Sequence, residues 1–449
     1  MVSRPARLGS KAASTWSRLE RSSRTSANKI SQKRRRLAKK PLQRLWLLKQ
    51  QIGQTEMIIA PSLMEPARIE EIPEKLSDIA GDLIHRSAQL GRNLPARTLA
   101  DLAAMVRLMN SYYSNRIEGH NTRPRDIERA LSGDLDEDPA RRALQQEGAA
   151  HVRLQAAIDA KASEGTLGDP STPEFIRWLH QEFYGGASPE ALTINEQVTM
   201  VPGRWREGDV EVGLHVPLPY DRVPGFMDYF HQRFRIDRMG RTARILAIAT
   251  GHHRLNWIHP FYDGNGRVSR LVSHAMAHHA GIGAGGLWSV SRGLARGLAG
   301  GLPGREEYKA MMQLADRDRQ GDRDGRGDRS LAALVSFTDW FLQCCLDQIT
   351  FMTEMFDFGG LGDRLTRYAA LQGLRDEAPT LLRAVLSKGE VTRGEVPILT
   401  GVSARTAQRL TDEMTKDGIL ASETPKGALA LRFPSQTHDV LFPRLFADA

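Results

Sequence analysis

The stretch His259–Arg270 constrains this chain more than any other. Its twelve residues hold an imidazole, a carboxylate, an amide and two guanidinium groups, with almost no apolar filler. The flanking segments Arg241–Leu255 and Val268–Ala280 repeat apolar residues at helical spacing, which predicts two helices. Between them we expect a tight loop that leads into a helix N-terminus, where unpaired N–H groups and the helix dipole favour anions. Gly264 and Gly266 allow the backbone to approach such an anion closely.

The side chains of this stretch suit a phosphate ester. His259 titrates near neutral pH and can take a proton from an attacking hydroxyl group. Asp263 is a candidate ligand for Mg²⁺, which proteins usually bind through one or two carboxylates together with substrate phosphates. Arg267 and Arg270 share a face of the first helical turn and can grip phosphate oxygens with forked hydrogen bonds. Any one of these residues alone also fits a solvated surface turn, but the whole set favours a phosphate site.

At every defined position the stretch resembles the signature of Fic proteins, His-Pro-Phe-x-Asp/Glu-Gly-Asn-Gly-Arg-x-x-Arg. The resemblance implies a mainly α fold, with a Fic-type helical core and a small β-hairpin flap. It also implies a nucleotidyltransferase, a protein adenylyltransferase that moves AMP from Mg-ATP to a hydroxyl side chain (Ser, Thr or Tyr) of a target protein. ATP is then the substrate and Mg²⁺ the cofactor.

The resemblance also implies a role for each motif residue. His259 is expected to be the general base and Asp263 the Mg²⁺ ligand. Asn265 is expected to contact the nucleotide phosphates, while two glycines form an anion hole and two arginines bind the β and γ phosphates. The phosphate-binding set is Gly264, Asn265, Gly266, Arg267 and Arg270.

The helix predicted at Leu99–Glu118 carries a second unusual feature. An apolar stripe runs along it, and Gly119 follows as a residue suited to the left-handed end of a helix. Glu118 therefore puts a negative charge in the last turn, where it opposes the helix dipole, and Ser114 lies one turn earlier on the same face. The alternative interpretation is that Glu118 is an ordinary surface residue. However, a charge placed against the helix dipole is an unfavourable local feature, and such features are typical of functional sites.

The segment from Ser114 to Gly119 also resembles the Ser/Thr-x-x-x-Glu-Gly/Asn inhibitory motif of Fic proteins that carry the inhibitory helix in the same chain. The resemblance implies that Glu118 pairs with Arg270 and occupies the space of the γ phosphate. Such a pair removes one phosphate clamp and places a negative charge where a triphosphate has to bind. Basal transfer activity is therefore expected to be low.

The similarity to Fic proteins extends over residues 65–360 in order and spacing. It includes Pro202–Arg206 and then Val210–Pro219, where the family has a β-hairpin flap that docks the target segment. We expect an N-terminal helical region with the inhibitory helix at residues 57–140 and the catalytic core at residues 141–355.

The net charge of +9 is concentrated at the N-terminus. Residues 1–56 contain 15 Lys and Arg against two Glu, whereas the rest of the chain contains 47 basic and 51 acidic residues. Three interpretations compete for this basic arm: a tail for nucleic acid or a membrane surface, a transit-like leader, or an artefact of an upstream start codon. The recognisable part begins soon after Met57 and Met64, which favours the last. We expect the arm to be disordered or absent from the native protein.

The composition of the chain indicates the cellular compartment in which we expect the protein. No apolar run approaches the roughly 18 residues of a membrane span, so no membrane partner is expected. The two cysteines, Cys344 and Cys345, are adjacent in an apolar helical segment, Leu331–Thr350, and provide no disulfide framework. That usage favours a reducing compartment and hence a cytoplasmic location.

Residues 365–449 predict a separate C-terminal module. Three helices precede a β-hairpin wing around Pro425–Gly427, and Ser403 is expected to cap the third helix. The predicted helices are Pro379–Leu386, Thr392–Leu399 and Arg405–Lys416. This order resembles a winged helix-turn-helix domain, a common C-terminal attachment in Fic proteins.

The third helix of this module suggests DNA contact. Arg405, Gln408 and Arg409 are expected to face outward, where they suit phosphate and base-edge contacts. Residues 379–434 carry only eight basic and six acidic residues, which is weak for a DNA-binding domain. A protein–protein or dimerisation module is therefore the alternative, and a homodimer is among the expected assemblies.

Two other patterns resemble known motifs only in part. Gly281–Gly286 satisfies the glycine spacing of dinucleotide-binding loops but follows a helix outside any βαβ unit, so we interpret it as a flexible connector. His274 and His278 are spaced like a metal pair on a helix, but the catalytic glutamate of a zinc protease motif is missing. We interpret them as surface or core histidines of that helix.

Two other functions stay open at the sequence level. In one, the same site removes AMP from a modified protein, and Glu118 positions a water molecule. In the other, the protein is a DNA-binding regulator whose Fic domain senses nucleotide. Intact His259 and Asp263 argue against a catalytically dead domain.

Overall fold

The computed structural model describes residues 60–194, 198–213, 215–298 and 302–446, and helices dominate them. The basic arm predicted at residues 1–56 lies outside the described residues. The helices are α1 Glu74–Gln89, α2 Ala96–Glu118, α3 Pro124–Leu131, α4 Pro139–Ser163, α5 Pro173–Tyr184, α6 Val223–Phe234, α7 Arg241–Ile258, α8 Asn265–His279, α9 Val290–Arg296, α10 Gly304–Ala315, α11 Leu331–Met355, α12 Phe358–Leu371, α13 Ala378–Lys388, α14 Val396–Thr400, α15 Ala404–Asp417 and α16 His438–Leu441. The predicted mainly α fold is confirmed.

The strands are short and form two small antiparallel sheets. They are β1 Thr193–Ile194, β2 Val198–Thr199, β3 Glu390–Val391, β4 Leu420–Ala421 and β5 Leu429–Leu431. In the first sheet β1 pairs with β2, and in the second the order is β3-β5-β4, with β5 in the centre.

The two helices predicted around the opening motif form the centre of the fold. Helix α7 is buried on all sides from Ile245 to Leu255 and packs against α1, α6, α8 and α11. This stretch has no exposed face, and its polar residues, including His252, His253 and Arg254, are buried with the apolar ones. Helix α8 begins at Asn265, three residues before the predicted start at Val268, so the motif itself supplies its first turn.

Helix α2 is more deeply buried than its apolar stripe predicts. Polar residues such as Asn110, Ser111 and Ser114 are also shielded from solvent, because α4 and α9 cover the sides that the stripe leaves open. Each buried polar side chain then has a partner, as interiors require. Asn110 Nδ2 donates to Gln155 Oε1 at 2.6 Å, and Ser111 Oγ donates to the carbonyl of Gly148 at 2.8 Å.

The flap expected at Val210–Pro219 is smaller than a pair of strands. A single β-bridge joins Val212 and His215, with the His215 N–H donating to the Val212 carbonyl at 2.9 Å. The strand pair β1–β2 lies before it in the chain, within the region between α5 and α6.

The C-terminal helices and the second sheet follow the predicted order. Ser403 caps α15 as expected, since its hydroxyl accepts from the Thr406 N–H at 3.3 Å. Helix α14 begins four residues later than predicted, at Val396, because Thr392 is held by the Glu395 carboxylate in a turn before it. Strand β3 was not predicted, since two residues are too few to show an alternating pattern.

These C-terminal elements are tied to the helical core. The chain from Ala60 onward forms one compact unit by its internal contacts. Tyr113 Oη on α2 donates to the Leu445 carbonyl at 2.9 Å, and Arg432 Nη1 meets Asp101 Oδ1 on α2 at 2.5 Å. None of the described helices is both long enough and apolar enough to cross a membrane.

Arg292 on α9 provides a buried polar link to the C-terminal segment. Its Nη2 donates to the Arg444 carbonyl at 3.0 Å, and its Nη1 donates to Gln348 Oε1 at 3.0 Å. The guanidinium also stacks 3.8 Å above the ring of Phe351. A charged group that is 2% exposed is stable only with such partners.

We expect Arg292→Met to lower the free energy of unfolding by about 2–4 kcal/mol, because it leaves buried carbonyl groups without donors. Chemical denaturation followed by circular dichroism measures the loss. Arg405→Met is the matched control, since Arg405 is exposed. Equal effects of the two substitutions would contradict the role given to Arg292.

Candidate active site

His259 ends helix α7 in a left-handed conformation, with φ 52° and ψ 62°. A non-glycine residue adopts this conformation only where its surroundings hold it there. The His259 N–H donates to the Leu255 carbonyl at 3.1 Å, and its own carbonyl accepts from Arg206 Nε at 2.9 Å. The chain therefore reverses at His259 and enters the loop of the motif.

Arg206 fastens this loop to the flap. Its backbone N–H donates to the Pro260 carbonyl at 2.9 Å, and its guanidinium donates to the carbonyls of Gly208 and Leu218 at the two ends of the flap. The side chain is completely shielded from solvent. In the sequence analysis Arg206 belonged to a stretch that resembles Fic proteins, but no role was predicted for it. Its hydrogen bonds show a structural role, since they connect the motif loop to the flap.

Asn265 holds the loop from the inside. Its Oδ1 accepts from the Phe261 N–H and its Nδ2 donates to the Phe261 carbonyl, both at 2.9 Å. Phe261 is fully buried and stacks on the His180 ring with centroids 3.8 Å apart. In this structure both polar atoms of the Asn265 side chain are thus used by the loop backbone, whereas the resemblance assigned them to the nucleotide.

Gly264 sits where no side chain fits. Its φ is +78°, and a Cβ there would lie 2.7 Å from Cε2 of the Tyr184 ring. Tyr184 also donates from its hydroxyl to Asp263 Oδ2 at 3.1 Å. One aromatic residue of α5 therefore supports both the tight turn and the carboxylate beside it, although nothing in the sequence singled it out.

Asp263 and Arg267 form an ion pair one helical turn apart. Arg267 Nη2 lies 3.0 Å from Asp263 Oδ2, and Arg267 Nη1 lies 2.5 Å from Glu147 Oε2 on α4. Burial on its own raises the pKa of Asp263, but the charge of Arg267 leaves that pKa below its usual value. Asp263 is therefore ionised at neutral pH, and half of its side chain is exposed.

Arg270 joins α8 to the end of α2. Its Nε donates to Ser114 Oγ at 2.9 Å, and its Nη2 donates to the Ser114 carbonyl at 3.2 Å and to Glu118 Oε1 at 2.6 Å. The Arg270 side chain is 1% exposed and that of Glu118 is 31% exposed. The structure thus brings together the three residues that the sequence analysis linked only through resemblance.

Glu118 also lies against the first turn of α8. A Cβ added at Gly266 would collide with Glu118 Oε1, so the carboxylate touches the place where the α8 backbone begins. Gly119 ends α2 in the left-handed conformation, as predicted, and the N–H of His120 returns to the Asn115 carbonyl at 2.9 Å. Burial raises the pKa of Glu118, but Arg270 and then Arg267 lower it below its usual value, so this carboxylate is also ionised.

A cavity of about 310 Å³ is lined by several of the residues predicted to form the site. Its lining includes Glu118, His259, Gly266 and Arg270, so the predicted base, clamp and inhibitory residue face one space. Asp316, at the end of α10, lines the same cavity and accepts from His253 Nε2 at 3.1 Å. Nothing in the sequence analysis singled out Asp316.

The imidazole of His259 is held in its neutral form. Burial, followed by the neighbouring His215, lowers the pKa of His259 to about 4. A neutral imidazole can accept a proton, as a general base must.

The three predicted DNA contacts lie elsewhere in the chain, on α15. Arg405, Gln408 and Arg409 are all exposed. Gln408 Nε2 donates to Asp412 Oδ1 at 2.8 Å, one turn along the same helix. Ile398 on the preceding helix α14 is 83% exposed.

The chain matches known proteins over its central part. Residues 170–277 match the model of the Fic/DOC family. A protein adenylyltransferase Fic of Nematostella vectensis is 30% identical over 174 residues, which cover 38% of this chain and 37% of the relative. A protein adenylyltransferase Fic of Drosophila melanogaster is 33% identical over 79 residues, 18% of this chain and 16% of the relative. The chain therefore spans well under half the length of these relatives.

Two Fic proteins are among the solved structures that align with this chain. A Fic family protein from Desulfovibrio desulfuricans aligns over 80% of this chain and 96% of its own, with a TM-score of 0.43 and 18% identity. Fic-1 from C. elegans aligns over 62% of this chain and 71% of its own, with a TM-score of 0.43 and 16% identity.

The lowered pKa of His259 predicts that its ring stays neutral well below pH 6.5. In protein with ¹³C-labelled histidine, the His259 signal, assigned by its loss in His259→Ala, should keep its neutral-form shift from pH 8 down to about pH 5. Exposed His85 serves as an internal reference for solvent-accessible imidazole. A His259 midpoint near 6.5 would show that the ring is not desolvated.

Proposed function

Residues 170–277 form a Fic/DOC family domain, and from this domain and its site we propose that the protein is an auto-inhibited protein adenylyltransferase. The donor is Mg-ATP and the acceptor is a Ser, Thr or Tyr hydroxyl of a target protein. The observation that carries the proposal is the position of Glu118, a carboxylate that pairs with Arg270 at 2.6 Å inside the cavity of His259.

The reaction begins with the acceptor hydroxyl. Its oxygen attacks the α phosphorus of ATP, the bond from that phosphorus to the bridging β oxygen breaks, and pyrophosphate leaves. The hydroxyl proton goes to the His259 imidazole, for which a neutral ring is required. The lowered pKa of His259 keeps the ring in this neutral form at pH 7.

Asp263 would hold the Mg²⁺ ion. Its carboxylate is ionised and half exposed, and hard oxygen ligands of this kind suit Mg²⁺. Mg²⁺ would neutralise charge on the phosphates as they separate. Tyr184 and Arg267 both bind Asp263 Oδ2, so they fix the direction in which the carboxylate points.

The phosphates would bind at the first turn of α8. Backbone N–H groups near Gly264 and Gly266 and the positive end of the helix dipole provide an anion site there. Arg270 is the better placed of the two arginines, because it lines the cavity of His259 and pairs with one carboxylate, that of Glu118, whereas Arg267 pairs with two, those of Glu147 and Asp263. A phosphate contact by Arg267 requires it to share or exchange one of these carboxylates.

Auto-inhibition follows from the occupation of this anion site. The Glu118 carboxylate lies against Gly266 and takes the Nη2 donor of Arg270, so it fills the position that a phosphate group needs. A triphosphate brought to the same place meets a negative charge and finds one clamp already bound. ATP then binds in a pose from which the α phosphorus is not presented for attack.

We expect Glu118→Gly to raise auto-modification with α-labelled ATP by at least tenfold over the natural sequence, because it frees Arg270 and removes the opposing charge. ATP should also raise the melting temperature of this variant more than that of the unsubstituted protein. Glu164→Gly, at the exposed end of α4, is the control for a glycine placed at a helix terminus.

The outcomes separate the competing activities. No gain in labelling by Glu118→Gly over Glu164→Gly would refute auto-inhibition by this residue. Release of AMP from a pre-modified target by the unsubstituted protein, lost in Glu118→Gly, would instead favour removal of AMP as the function. Binding of ATP with neither activity would favour a nucleotide sensor.

We place this activity in a reducing compartment such as the cytoplasm. Cys344 and Cys345 are buried in α11 without a disulfide, and burial raises the pKa of both thiols, so neither is a reactive thiolate.

A second function for the C-terminal elements is supported by the exposed face of α15. We propose that residues 378–431 form a winged helix whose Arg405, Gln408 and Arg409 contact DNA. The Ser403 cap and the antiparallel hairpin β4–β5 support a recognition helix followed by a wing.

We expect duplex affinity to fall steeply with salt and Arg405→Ala/Arg409→Ala to lower it about tenfold or more, with a decrease of about two in the salt slope. Fluorescence anisotropy measures both quantities. Arg125→Ala/Arg153→Ala removes the same charge from exposed positions on α3 and α4 and should change affinity much less. Absence of duplex binding even at low salt would contradict DNA contact and would favour a protein partner for this surface.

A further inference from the structure

Three potential metal ligands from two helices meet away from the nucleotide cavity. His274 Nε2 lies 2.7 Å from Asp159 Oδ1, His278 Nε2 lies 3.0 Å from the same oxygen, and the two Nε2 atoms are 3.3 Å apart. The histidines face one side of α8 at positions i and i+4, and Asp159 comes from α4. The sequence analysis identified only the histidine pair, and the fold adds the carboxylate.

We propose that Asp159, His274 and His278 bind one divalent transition-metal ion, with Zn²⁺ as the best match in ligand type. Two imidazole nitrogens and one carboxylate oxygen are a common three-ligand set for Zn²⁺ sites that keep a fourth position open. Imidazole suits Zn²⁺ and its neighbours, whereas Mg²⁺ and Ca²⁺ prefer oxygen ligands throughout. The site is therefore chemically distinct from the Asp263 carboxylate.

The spacing of the three atoms fits such an ion. Bonds of about 2.0–2.1 Å in a tetrahedron place ligand atoms about 3.3 Å apart. The two histidine nitrogens already have that separation, and hydrogen bonds to Asp159 Oδ1 draw the other two pairs closer, to 2.7 and 3.0 Å. The carboxylate has to move by only a few tenths of an ångström when an ion replaces the two hydrogen bonds.

The other Asp159 oxygen is held from outside the triad. Arg107 Nη1 on α2 lies 3.0 Å from Asp159 Oδ2, which leaves Oδ1 directed at the histidines. Outer contacts of this kind commonly orient a metal-binding carboxylate. Asp159 and the two histidines are each no more than 10% exposed, so their positions are set by packing.

The glycine-rich segment Gly281–Gly286 closes one side of the triad. A Cβ at Gly283 would lie 2.5 Å from His278 Nδ1, and a Cβ at Gly286, where φ is +81°, would lie 2.7 Å from Asp159 Oδ2. Glycine is required at both positions because the backbone passes directly over two of the three ligands. This accounts for a glycine pattern that we first interpreted as a flexible connector.

The other side of the triad is open. A cavity of about 440 Å³, lined by Asp159, Ser163, Leu167 and His278 among others, gives solvent and ions a route to the ligands. A water molecule can therefore occupy the fourth position. The ion would join α4 to the C-terminal half of α8, and so brace the helix that carries Arg270 in its second turn.

Cobalt substitution tests the site directly. Full-length protein is stripped with EDTA, dialysed and titrated with Co²⁺, whose visible d–d absorption is intense in four-coordinate sites and weak in octahedral ones. We expect intense bands that saturate at one Co²⁺ per chain and are abolished by one equivalent of Zn²⁺. Zn²⁺ in hundredfold excess over its Kd should also raise the melting temperature by a few degrees.

Matched variants locate the ion. His278→Gln and Asp159→Asn should each weaken Co²⁺ binding by more than the roughly 10–100-fold that loss of an outer contact costs. His279→Ala, at the adjacent position outside the triad, should bind as the unsubstituted protein does. Each variant is first checked by circular dichroism without metal.

Two results would overturn the proposal. One is the absence of intense Co²⁺ bands in the unsubstituted protein, a measurement that needs no variant to fold. The other is unchanged binding in His278→Gln. Neither bears on nucleotide transfer, because the adenylylation assay with Glu118→Gly is read independently of added Zn²⁺ or Co²⁺.

Discussion

The buried guanidinium of Arg270 sets the arrangement of the whole site. A charge that is 1% exposed loses most of its hydration, and only well-placed acceptors can offset that loss. Ser114 and Glu118 supply those acceptors from the last turns of α2. The two helices are therefore held in one register, and the carboxylate that stabilises Arg270 is the same group that we propose as the inhibitory residue at the start of α8. Under that proposal, stability and obstruction have a common origin.

The motif loop depends on a second group of contacts, all made to its backbone. His259 is held in an unfavourable left-handed conformation, and the cost is offset by hydrogen bonds from outside the loop. Arg206 binds the His259 carbonyl, Asn265 binds both polar groups of Phe261, and Tyr184 fills the space under Gly264. The residues that hold the loop are thus different from those proposed to perform chemistry on it, with Asp263 and Arg267 linking the two groups.

Local patterns predicted those features that depend on local physics. The helices on both sides of the motif, the left-handed glycine after Glu118 and the Ser403 cap all follow from neighbouring residues. Contacts between segments that are distant in the chain could not be predicted from neighbouring residues in this way. Glu147 reaches Arg267 from 120 positions away, and Tyr184 reaches Asp263 from 79. Both are single residues on helices whose sequence shows only an ordinary amphipathic pattern.

The same reasoning explains how the predicted roles of the motif residues shifted. A pattern of residue types predicts the chemistry that a site can perform. It does not predict which of those polar groups are already hydrogen-bonded within the protein. Asn265 and Arg267 are suited to phosphate by type, yet both polar side-chain atoms of Asn265 and both terminal nitrogens of Arg267 are already bound within the protein. Arg270 keeps a buried Nη1 that makes no hydrogen bond with another described residue. It is therefore the arginine whose partners a triphosphate can most readily replace.

The position of Glu118 on α2 limits how the proposed obstruction can be relieved. The body of α2 is fixed by buried contacts on several sides, including the bond from Tyr113 to the Leu445 carbonyl and the ion pair between Asp101 and Arg432. Displacing the helix as a rigid body would break these contacts together with the Arg270 pair. Glu118, by contrast, is the last residue of α2, is 31% exposed and is followed by a left-handed glycine. Rotation of this one side chain breaks a single ion pair, so the lower-energy route to an open site passes through the last turn of α2 and leaves the rest of the helix in place.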